Sequence, residues 1–316
     1  MKALYFDGTK LDLLEDYQIP NSKETLVKVK LAGICGTDLE ILKGYASFVG
    51  VPGHEFVGVV ESSSNKDIIG KKVVGEINAV CGKCNFCLNG LERHCPNRTV
   101  LGILKRDGAF SQYLILPEKN LHVIPDSITD EQAVFVEPLA AAFEIVEQIH
   151  VEPNWKIAVV GDGRLGQLIC KVLRLYYHDI TCFGKHDRKM AMLQKLQIKT
   201  KSKIDSEDEY NYDLVVEATG HQSGFLNTLK LVKPRGTIVL KSTITSHDKL
   251  DLTDAVVNEV TIVGSRCGPF KPAINALSTG KVSVDELIDA TYPLEKFKDA
   301  FEHAAKPGVL KVLLKP

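Results

Sequence analysis

Alternating apolar and polar residues mark the first part of the chain as rich in strands. Val27, Val29 and Leu31 alternate with two lysines and an alanine, which is the period of a half-buried strand. A second short apolar run stands at 56–62, and glycine and proline interrupt the region at short intervals. Residues 1–126 are therefore predicted to form a β-rich region.

From Thr129 onward the pattern becomes helical and then alternates between strands and helices. Thr129 is a suitable N-cap for an alanine-rich helix that reaches residue 149. This alternation is typical of an α/β fold with a doubly wound parallel sheet. The polar stretch 199–213 is predicted to be a surface connection, and the C-terminal residues are predicted to return to the first domain. The strands are predicted at 156–160, 180–184, 214–220, 236–242 and 260–265.

The composition is that of a globular protein and argues against two classes of partner. The 316 residues leave room for about two domains. Lys and Arg (39) almost balance Asp and Glu (40), so neither nucleic acid nor a membrane surface is expected as a partner. No apolar run approaches the roughly 18 residues of a membrane-spanning helix. The opening residues, MKALYFDGTK, lack an apolar leader, and a cytoplasmic location is expected.

Four cysteines with the pattern C-x2-C-x2-C-x7-C form the most specific motif of the chain. A thiolate quartet this tight can surround one tetrahedral zinc ion with no position left for water, which is typical of a structural site. Two disulfides of a secreted protein are a weaker interpretation, because no leader is present and the other cysteines are scattered. A zinc ribbon that binds protein or nucleic acid would suit a small isolated module better. The predicted ligands are Cys81, Cys84, Cys87 and Cys95.

A glycine motif, G-x-G-x-x-G, directly follows the strand predicted at 156–160 and opens a helix. This context is typical of a dinucleotide site, in which the glycines make a tight turn and the helix N-terminus faces a pyrophosphate. The alternative is an ordinary glycine-rich turn between a strand and a helix, with no role in nucleotide binding. The predicted cofactor-binding residues of the motif are Gly161, Gly163, Arg164, Leu165 and Gly166.

The end of the second strand bears on which dinucleotide is bound. An NAD site usually carries Asp or Glu there to hold the ribose 2′-hydroxyl, and here the strand ends at Gly184. Lys185, His186 and Arg188 follow as further predicted cofactor-binding residues, and Lys185 and Arg188 could neutralise a 2′-phosphate. NADP(H) is therefore predicted as the preferred cofactor over NAD(H). The alternative is a solvated basic turn in an enzyme that accepts NAD.

A second set of metal donors lies upstream of the cysteine quartet. Cys35, His54 and Glu55 are soft and borderline zinc ligands, and Glu137 adds another carboxylate. Three protein ligands with water in the fourth position make a catalytic rather than a structural zinc site. The sequence therefore predicts two zinc ions per chain, one catalytic and one structural.

With these segments in order, the chain resembles the medium-chain, zinc-dependent alcohol dehydrogenases over nearly its whole length. The resemblance rests on G-I-C-G-T-D, P-G-H-E, the four cysteines, V-E-P-L-A and G-x-G-x-x-G. V-E-P-L-A is similar to the branch of polyol, glucose and threonine dehydrogenases. The resemblance implies a GroES-like catalytic domain, a Rossmann domain and a structural zinc lobe at about 78–98. The catalytic domain would comprise 1–138 and 267–316, and the Rossmann domain 139–266.

The resemblance also implies roles for single residues. Cys35 and His54 would ligate the catalytic zinc, and either Glu55 or Glu137 would supply the carboxylate ligand. Thr37 would take the proton of the bound alcohol. Asp38 would accept a hydrogen bond from the imidazole of His54. Glu40 would be the outer end of a proton relay, at the position where liver-type enzymes have histidine. Ala218 and Thr219 would contact the nicotinamide half of the cofactor.

The expected function is hydride transfer between a nicotinamide cofactor and a small alcohol, a polyol or the corresponding carbonyl. One alternative is an NADPH-dependent reductase of a larger biosynthetic carbonyl. Another is a nucleotide-binding protein without catalysis, which the complete set of zinc donors disfavours. The oligomeric state is not fixed by the sequence. A homodimer or homotetramer is possible, because the strand at 260–264 could pair with its copy across a two-fold axis.

Overall fold

The computed structural model of the protein describes residues 1–243 and 250–316. The chain forms two compact units, one of Met1–Glu137 with Ala273–Pro316 and the other of Pro138–Pro272. The strands are β1 (Ala3–Phe6), β2 (Leu11–Leu14), β3 (Thr25–Gly33), β4 (Glu55–Ser62), β5 (Lys72–Gly75), β6 (Asn78–Ala79), β7 (Thr99–Val100), β8 (Tyr113–Leu116), β9 (Leu121–Val123), β10 (Ile157–Val160), β11 (Ile180–Phe183), β12 (Lys199–Lys201), β13 (Tyr212–Glu217), β14 (Val232–Leu240), β15 (Thr261–Gly264), β16 (Ile288–Pro293) and β17 (Lys311–Lys315). The α-helices are α1 (Gly36–Ile41), α2 (Asn85–Leu88), α3 (Asp130–Ala133), α4 (Val136–Gln148), α5 (Arg164–Arg174), α6 (Asp187–Gln194), α7 (Gln222–Leu231), α8 (Thr253–Val257), α9 (Phe270–Ser278) and α10 (Phe297–Ala305).

The first unit is built on a seven-stranded sheet. Its strands lie in the order β16-β17-β3-β4-β5-β9, with β8 paired to β3. Along β3 the residues Val27, Val29 and Leu31 are buried while Lys28 and Lys30 are exposed, which confirms the predicted alternation. The pairing of β17 with β3 brings the C-terminal residues back to the sheet of the first unit.

The second unit contains a six-stranded parallel sheet in the order β12-β11-β10-β13-β14-β15. The central strand β10 is buried along its whole length, because helices cover the faces of a sheet of this kind. The order runs outward from β10 in both directions, which places a switch point between β10 and β13 at the carboxyl ends of the strands. The predicted α/β fold with a doubly wound sheet is confirmed.

Two local predictions need correction. The helix expected from Thr129 to residue 149 is divided into α3 and α4, and Thr129 caps only the first, where its hydroxyl accepts the N–H of Gln132 at 3.2 Å. The stretch 199–213 is not wholly a surface connection, since its first three residues form the edge strand β12. Three polar residues against β11 carry too little apolar signal for a strand to be predicted from sequence.

No helix in residues 1–243 and 250–316 is long and apolar enough to cross a membrane.

Candidate active site

Three neighbouring strands of the first unit bring a set of chemically active side chains together. In the antiparallel pair of β3 and β4, Gly33 lies opposite Glu55. Cys35 follows the end of β3 and His54 precedes the start of β4, so this register places the two side chains near each other. On the other side of β3, Leu313 of β17 lies opposite Gly33, which places the start of β17 near the same point.

The donor atoms of Cys35, His54 and Glu55 lie within 4.8 Å of one another. The Nδ1 atom of His54 lies 3.3 Å from Oδ1 of Asp38, close but without hydrogen-bond geometry. The other oxygen of Asp38 accepts the backbone N–H of Cys35 at 2.8 Å and so fixes the turn that carries the thiol. One thiol, one imidazole and one carboxylate at this spacing fit a zinc ion.

Lys311 is a component of this site that sequence reasoning missed. Its ammonium group forms an ion pair with Oε2 of Glu55, and the two side chains are only 2% and 1% exposed. It also lies 5.6 Å from the ring centre of Phe135. A Cβ atom at Gly33 would fall 2.6 Å from Oε2 of Glu55, so the pair crosses β3 where a side chain is missing. Glycine is therefore required at position 33, because the carboxylate of Glu55 approaches the backbone too closely for a side chain to fit.

The electrostatic environment of the donor cluster favours a cation. Burial lowers the pKa of His54, but the charges of Asp38 and Cys35 outweigh it, and the pKa is raised well above its usual value. Asp38 and Glu55 are both buried acids, and Lys311 pairs with Glu55. A positive charge between the donors is thus stabilised by the surrounding groups.

Three other predicted site residues have different placements. The hydroxyl of Thr37 lies 3.9 Å from Sγ of Cys35, half-buried in the first turn of α1. Glu40 is exposed on the same helix and bonds Lys43 at 2.9 Å, so its carboxylate is engaged on the surface. Glu137 stands half-buried in the first turn of α4 and is not one of the three converging donors among the described residues.

The cysteine quartet lies in a lobe that projects from the two-stranded ladder of β6 and β7. The Sγ atom of Cys84 is 3.5 Å from that of Cys87 and 3.7 Å from that of Cys95, and Cys95 is 3.6 Å from Cys81. Sulfur atoms about 3.8 Å apart are what a tetrahedral site with Zn–S bonds of about 2.3 Å needs. The quartet therefore fits a zinc ion with no further ligand.

The cysteines differ in how readily they become thiolates. A hydrogen bond from the backbone N–H of Lys83 is the main cause that lowers the pKa of Cys81 to about 6. Burial and the thiol of Cys84 raise the pKa of Cys87 to about 12. A metal cation favours the thiolate form of every ligand, so the charge needed to ionise the whole quartet would come from the ion itself.

The glycine motif of the second unit lies between β10 and α5. Gly161 has a φ of 117°, a left-handed conformation that favours glycine, and α5 begins at Arg164, so the first turn of this helix lies at the motif. Gly163 has open space where a Cβ would stand. This turn and helix terminus fit the pyrophosphate of a dinucleotide.

Asp162, the second residue of the motif, holds the turn that follows β11. Its Oδ2 accepts the backbone N–H groups of Lys185 at 2.9 Å and His186 at 2.8 Å. Its Oδ1 lies 3.0 Å from Nδ1 of His186. A Cβ at Gly184 would fall 2.7 Å from this carboxylate. Glycine at 184 is therefore required by contact with Asp162, whether or not it also leaves room for a phosphate.

A second buried carboxylate holds the loop after β13. Oε1 of Glu217 accepts hydrogen bonds from the backbone N–H of Thr219 at 2.7 Å and from the hydroxyl of Thr219 at 2.5 Å. It also accepts the backbone N–H of Gly220 at 3.2 Å. The other oxygen, Oε2, is buried without a hydrogen-bond partner in the described part of the chain. Ala218 and Thr219, expected beside a nicotinamide, thus stand in a fixed loop at the carboxyl edge of the parallel sheet.

Two family models match the chain. The alcohol dehydrogenase GroES-like domain matches residues 21–126, and the glucose dehydrogenase C-terminus matches residues 130–315. Together they cover most of both units described above.

Individual proteins resemble the chain over its whole length. D-arabinitol dehydrogenase 1 of Uromyces fabae is 26% identical, and the alignment covers 100% of this chain and 97% of that protein. A protein of Sinorhizobium meliloti 1021, described as a zinc-binding dehydrogenase and bound to NADP, superposes with a TM-score of 0.90 at 26% identity, covering 100% of this chain and 99% of that one. An alcohol dehydrogenase of Escherichia coli CFT073 in complex with NADH also gives 0.90, at 27% identity and the same coverage.

Proposed function

The chain belongs to the medium-chain alcohol dehydrogenase family, and on that premise we propose that it is a zinc-dependent, NADP-preferring dehydrogenase of polyols or related secondary alcohols. The observation that carries this proposal is the convergence of Cys35, His54 and Glu55 within 4.8 Å. Asp38 behind the imidazole and Thr37 beside the thiol complete an arrangement suited to oxidising an alcohol.

Cys35, His54 and Glu55 would hold the catalytic metal. Glu55 is favoured over Glu137 as the carboxylate ligand because its oxygen already lies within the donor cluster. Lys311 compensates the charge of Glu55 from behind, and Asp38 orients His54 so that Nε2 faces the metal. The cysteine quartet would hold a second, structural zinc ion.

A bound zinc ion supplies a Lewis acid that favours loss of the alcohol proton, and the nicotinamide supplies the acceptor for a hydride. Thr37 would receive that proton, and this role is supported by its hydroxyl, which lies 3.9 Å from the sulfur of Cys35 and is only partly exposed. A hydroxyl is both donor and acceptor, so it can pass a proton onward. Glu40 is a poorer relay group because it is exposed and bonded to Lys43.

The cofactor would be held by three turns at the carboxyl edge of the parallel sheet. The glycine motif and the N-terminus of α5 would hold the pyrophosphate, and the loop of Ala218 and Thr219 would border the nicotinamide. Preference for NADP(H) is supported by the turn after β11, where Lys185 and Arg188 are exposed and no carboxylate ends the strand. Two cations there would pair with a 2′-phosphate.

A polyol is proposed as the substrate class because D-arabinitol dehydrogenase 1 aligns with the chain over its full length. The same site would reduce the corresponding ketone when NADPH is supplied, since one transition state serves both directions.

The test is a paired measurement of metal content and turnover. Purified protein is analysed for zinc, and cofactor reduction is followed with NADP⁺ and NAD⁺ against pentitols, hexitols and simple secondary alcohols. We expect two zinc ions per chain, turnover of at least one polyol, and a higher kcat/KM with NADP⁺. Cys35→Ser should lose one zinc and the activity, while Cys267→Ser, a thiol outside both donor sets, should keep both. Full activity in a Cys35→Ser protein that lacks this zinc would refute the proposal.

A further inference from the structure

The carboxylate of Asp162 occupies a defined position within the adenosine end of the proposed cofactor site. The side chain is 8% exposed and faces the turn that joins β11 to α6. Two backbone N–H groups and one imidazole nitrogen, all from Lys185 and His186, surround its two oxygens at 2.8–3.1 Å. A residue of the glycine motif therefore binds the neighbouring turn directly.

The acceptors of Asp162 are used within the protein. In NAD-selective sites, a carboxylate at the end of the second strand accepts the ribose 2′-hydroxyl. Here that strand ends without a carboxylate, and the nearby carboxylate of Asp162 already accepts three hydrogen-bond donors of its own chain. It has little capacity left for a ribose hydroxyl. The side chain of Lys185 stays exposed, while its backbone N–H is fixed by Asp162.

We propose that Asp162 is a positioning residue that sets cofactor specificity: it fixes the turn of Lys185 and His186 so that the side chains of Lys185 and Arg188 receive the 2′-phosphate of NADP(H). The inference rests on the proposed NADP preference and deepens it. Asp162 acts through the turn and does not itself bind the ribose.

The negative charge of Asp162 does not oppose a 2′-phosphate in this arrangement. Two N–H dipoles and the imidazole of His186 face the carboxylate, so its charge is compensated locally. The carboxylate is also almost wholly shielded from solvent, whereas the lysine and arginine side chains of the turn are exposed. An approaching phosphate would therefore meet cations first.

The experiment uses two fragments that differ only in the phosphate under discussion, 2′,5′-ADP and 5′-AMP. Their dissociation constants are measured by calorimetry on the full-length protein and on four variants. Asp162→Ala removes the acceptor, and Asp162→Glu moves it by one methylene. Asp162→Asn keeps one oxygen that can accept both N–H groups, and Asp208→Asn alters another buried carboxylate of the same unit that does not contact this turn.

We expect the unmodified protein to prefer 2′,5′-ADP, and Asp162→Ala and Asp162→Glu to reduce that preference by about tenfold. Asp162→Asn should keep it within about threefold, and Asp208→Asn should keep it unchanged even where the melting temperature falls. A merely structural role would weaken both fragments equally. If Asp162→Ala does not fold, the preference for 2′,5′-ADP over 5′-AMP is compared between Asp162→Glu and Asp162→Asn instead.

Two results have separate meanings. An unmodified protein that binds 5′-AMP as tightly as 2′,5′-ADP contradicts the proposed NADP preference, before any variant is considered. An unmodified protein that prefers 2′,5′-ADP, with Asp162→Ala or Asp162→Glu keeping or increasing that preference, overturns the role given to Asp162. An increase would mean that the carboxylate repels the phosphate.

Discussion

Lys311 and Glu55 form a buried ion pair although 256 residues separate them in the sequence. The pair crosses β3 at Gly33, and Glu55 also contributes to the cluster of metal donors. Lys311 thus links the chemistry of the site to the stability of the sheet.

Replacing Lys311 with methionine should strongly destabilise the first unit. In protein freed of metal by a chelator, the change leaves the carboxylate of Glu55 buried without its partner, a loss of about 3–5 kcal/mol in the free energy of unfolding. Urea denaturation followed by circular dichroism measures the difference. Lys306→Met is the control, because Lys306 is 59% exposed and its ion pair with Glu302 lies on the surface; that change should cost less than about 1 kcal/mol. Equal effects of the two substitutions would contradict the assignment.

Replacing Thr37 with valine should remove a proton-transfer step while leaving the site assembled. Valine has nearly the shape of threonine and lacks the hydroxyl, so kcat should fall by about 100-fold or more. Zinc content and the affinity for NADPH should stay as in the unmodified protein. Thr37→Ser keeps the hydroxyl and should retain most of the activity. A Thr37→Val enzyme of normal kcat would exclude this residue from the proton path.

Replacing Cys95 with serine should cost the protein one zinc ion and much of its stability. Cys95 is fully buried and lies within 3.7 Å of two other sulfur atoms, so its loss opens the structural site. Because binding of a structural zinc contributes directly to folding, the melting temperature should fall. Cys170→Ser, at a buried thiol of the second unit, tests the cost of the substitution alone. Two zinc ions retained in the Cys95→Ser protein would contradict a four-cysteine site.

Replacing Lys185 and Arg188 together with alanine should shift cofactor preference toward NAD(H). Under the proposed NADP preference, these two exposed cations pair with the 2′-phosphate and should contribute at least about tenfold to the ratio of kcat/KM for NADP⁺ over NAD⁺. Lys195→Ala, an exposed lysine at the far end of α6, is the matched control. Gly184→Asp is a poor test of the same idea, because any Cβ there collides with Asp162. An unchanged ratio in the double variant would place the phosphate elsewhere.

The ion pair of Asp208 and Lys201 should make stability depend on pH on the acid side. Burial raises the pKa of Asp208, but the hydrogen bond from Lys201 at 2.8 Å and other contacts outweigh it, and the pKa is lowered overall. A lowered pKa in the folded state means that the stabilisation is complete above the ordinary value of about 4 and is lost as the pH falls through the folded-state value. Asp208→Asn removes this contribution.

The melting temperatures of the unmodified protein and of Asp208→Asn should therefore differ at pH 7. The difference should begin to shrink as the pH falls below about 4. A difference that stays constant down to pH 3 would mean that Asp208 does not titrate with folding.

The parts of the site that were predicted from sequence are those encoded by short-range spacing. The four cysteines lie within one short segment, and any compact fold of that segment brings them near each other. The glycine motif is similarly local, since Gly161 and the start of α5 are consecutive in the chain. Cys35 and His54 were assigned through the family resemblance, and the register of β3 against β4 explains why they meet.

The contacts that were missed depend on tertiary pairing. Lys311 stands in an apolar C-terminal strand and reaches Glu55 only because β17 pairs with β3. Asp162 reads as a variable position of the glycine motif, and its bonds to Lys185 and His186 depend on the alignment of β10 with β11. Glu40 was expected in a proton relay. Lys43 follows it by three residues, a spacing that brings two side chains together on a helical turn, and the carboxylate of Glu40 binds Lys43.

The first unit is assembled from two chain segments that enclose the whole of the second unit in sequence. On the ribosome, Glu55 is therefore synthesised long before the lysine that neutralises it. At elongation rates of about 5–20 residues per second, 256 residues correspond to tens of seconds or less during which the N-terminal segment has no β17. The first unit is thus completed only after the whole of the second unit has been synthesised.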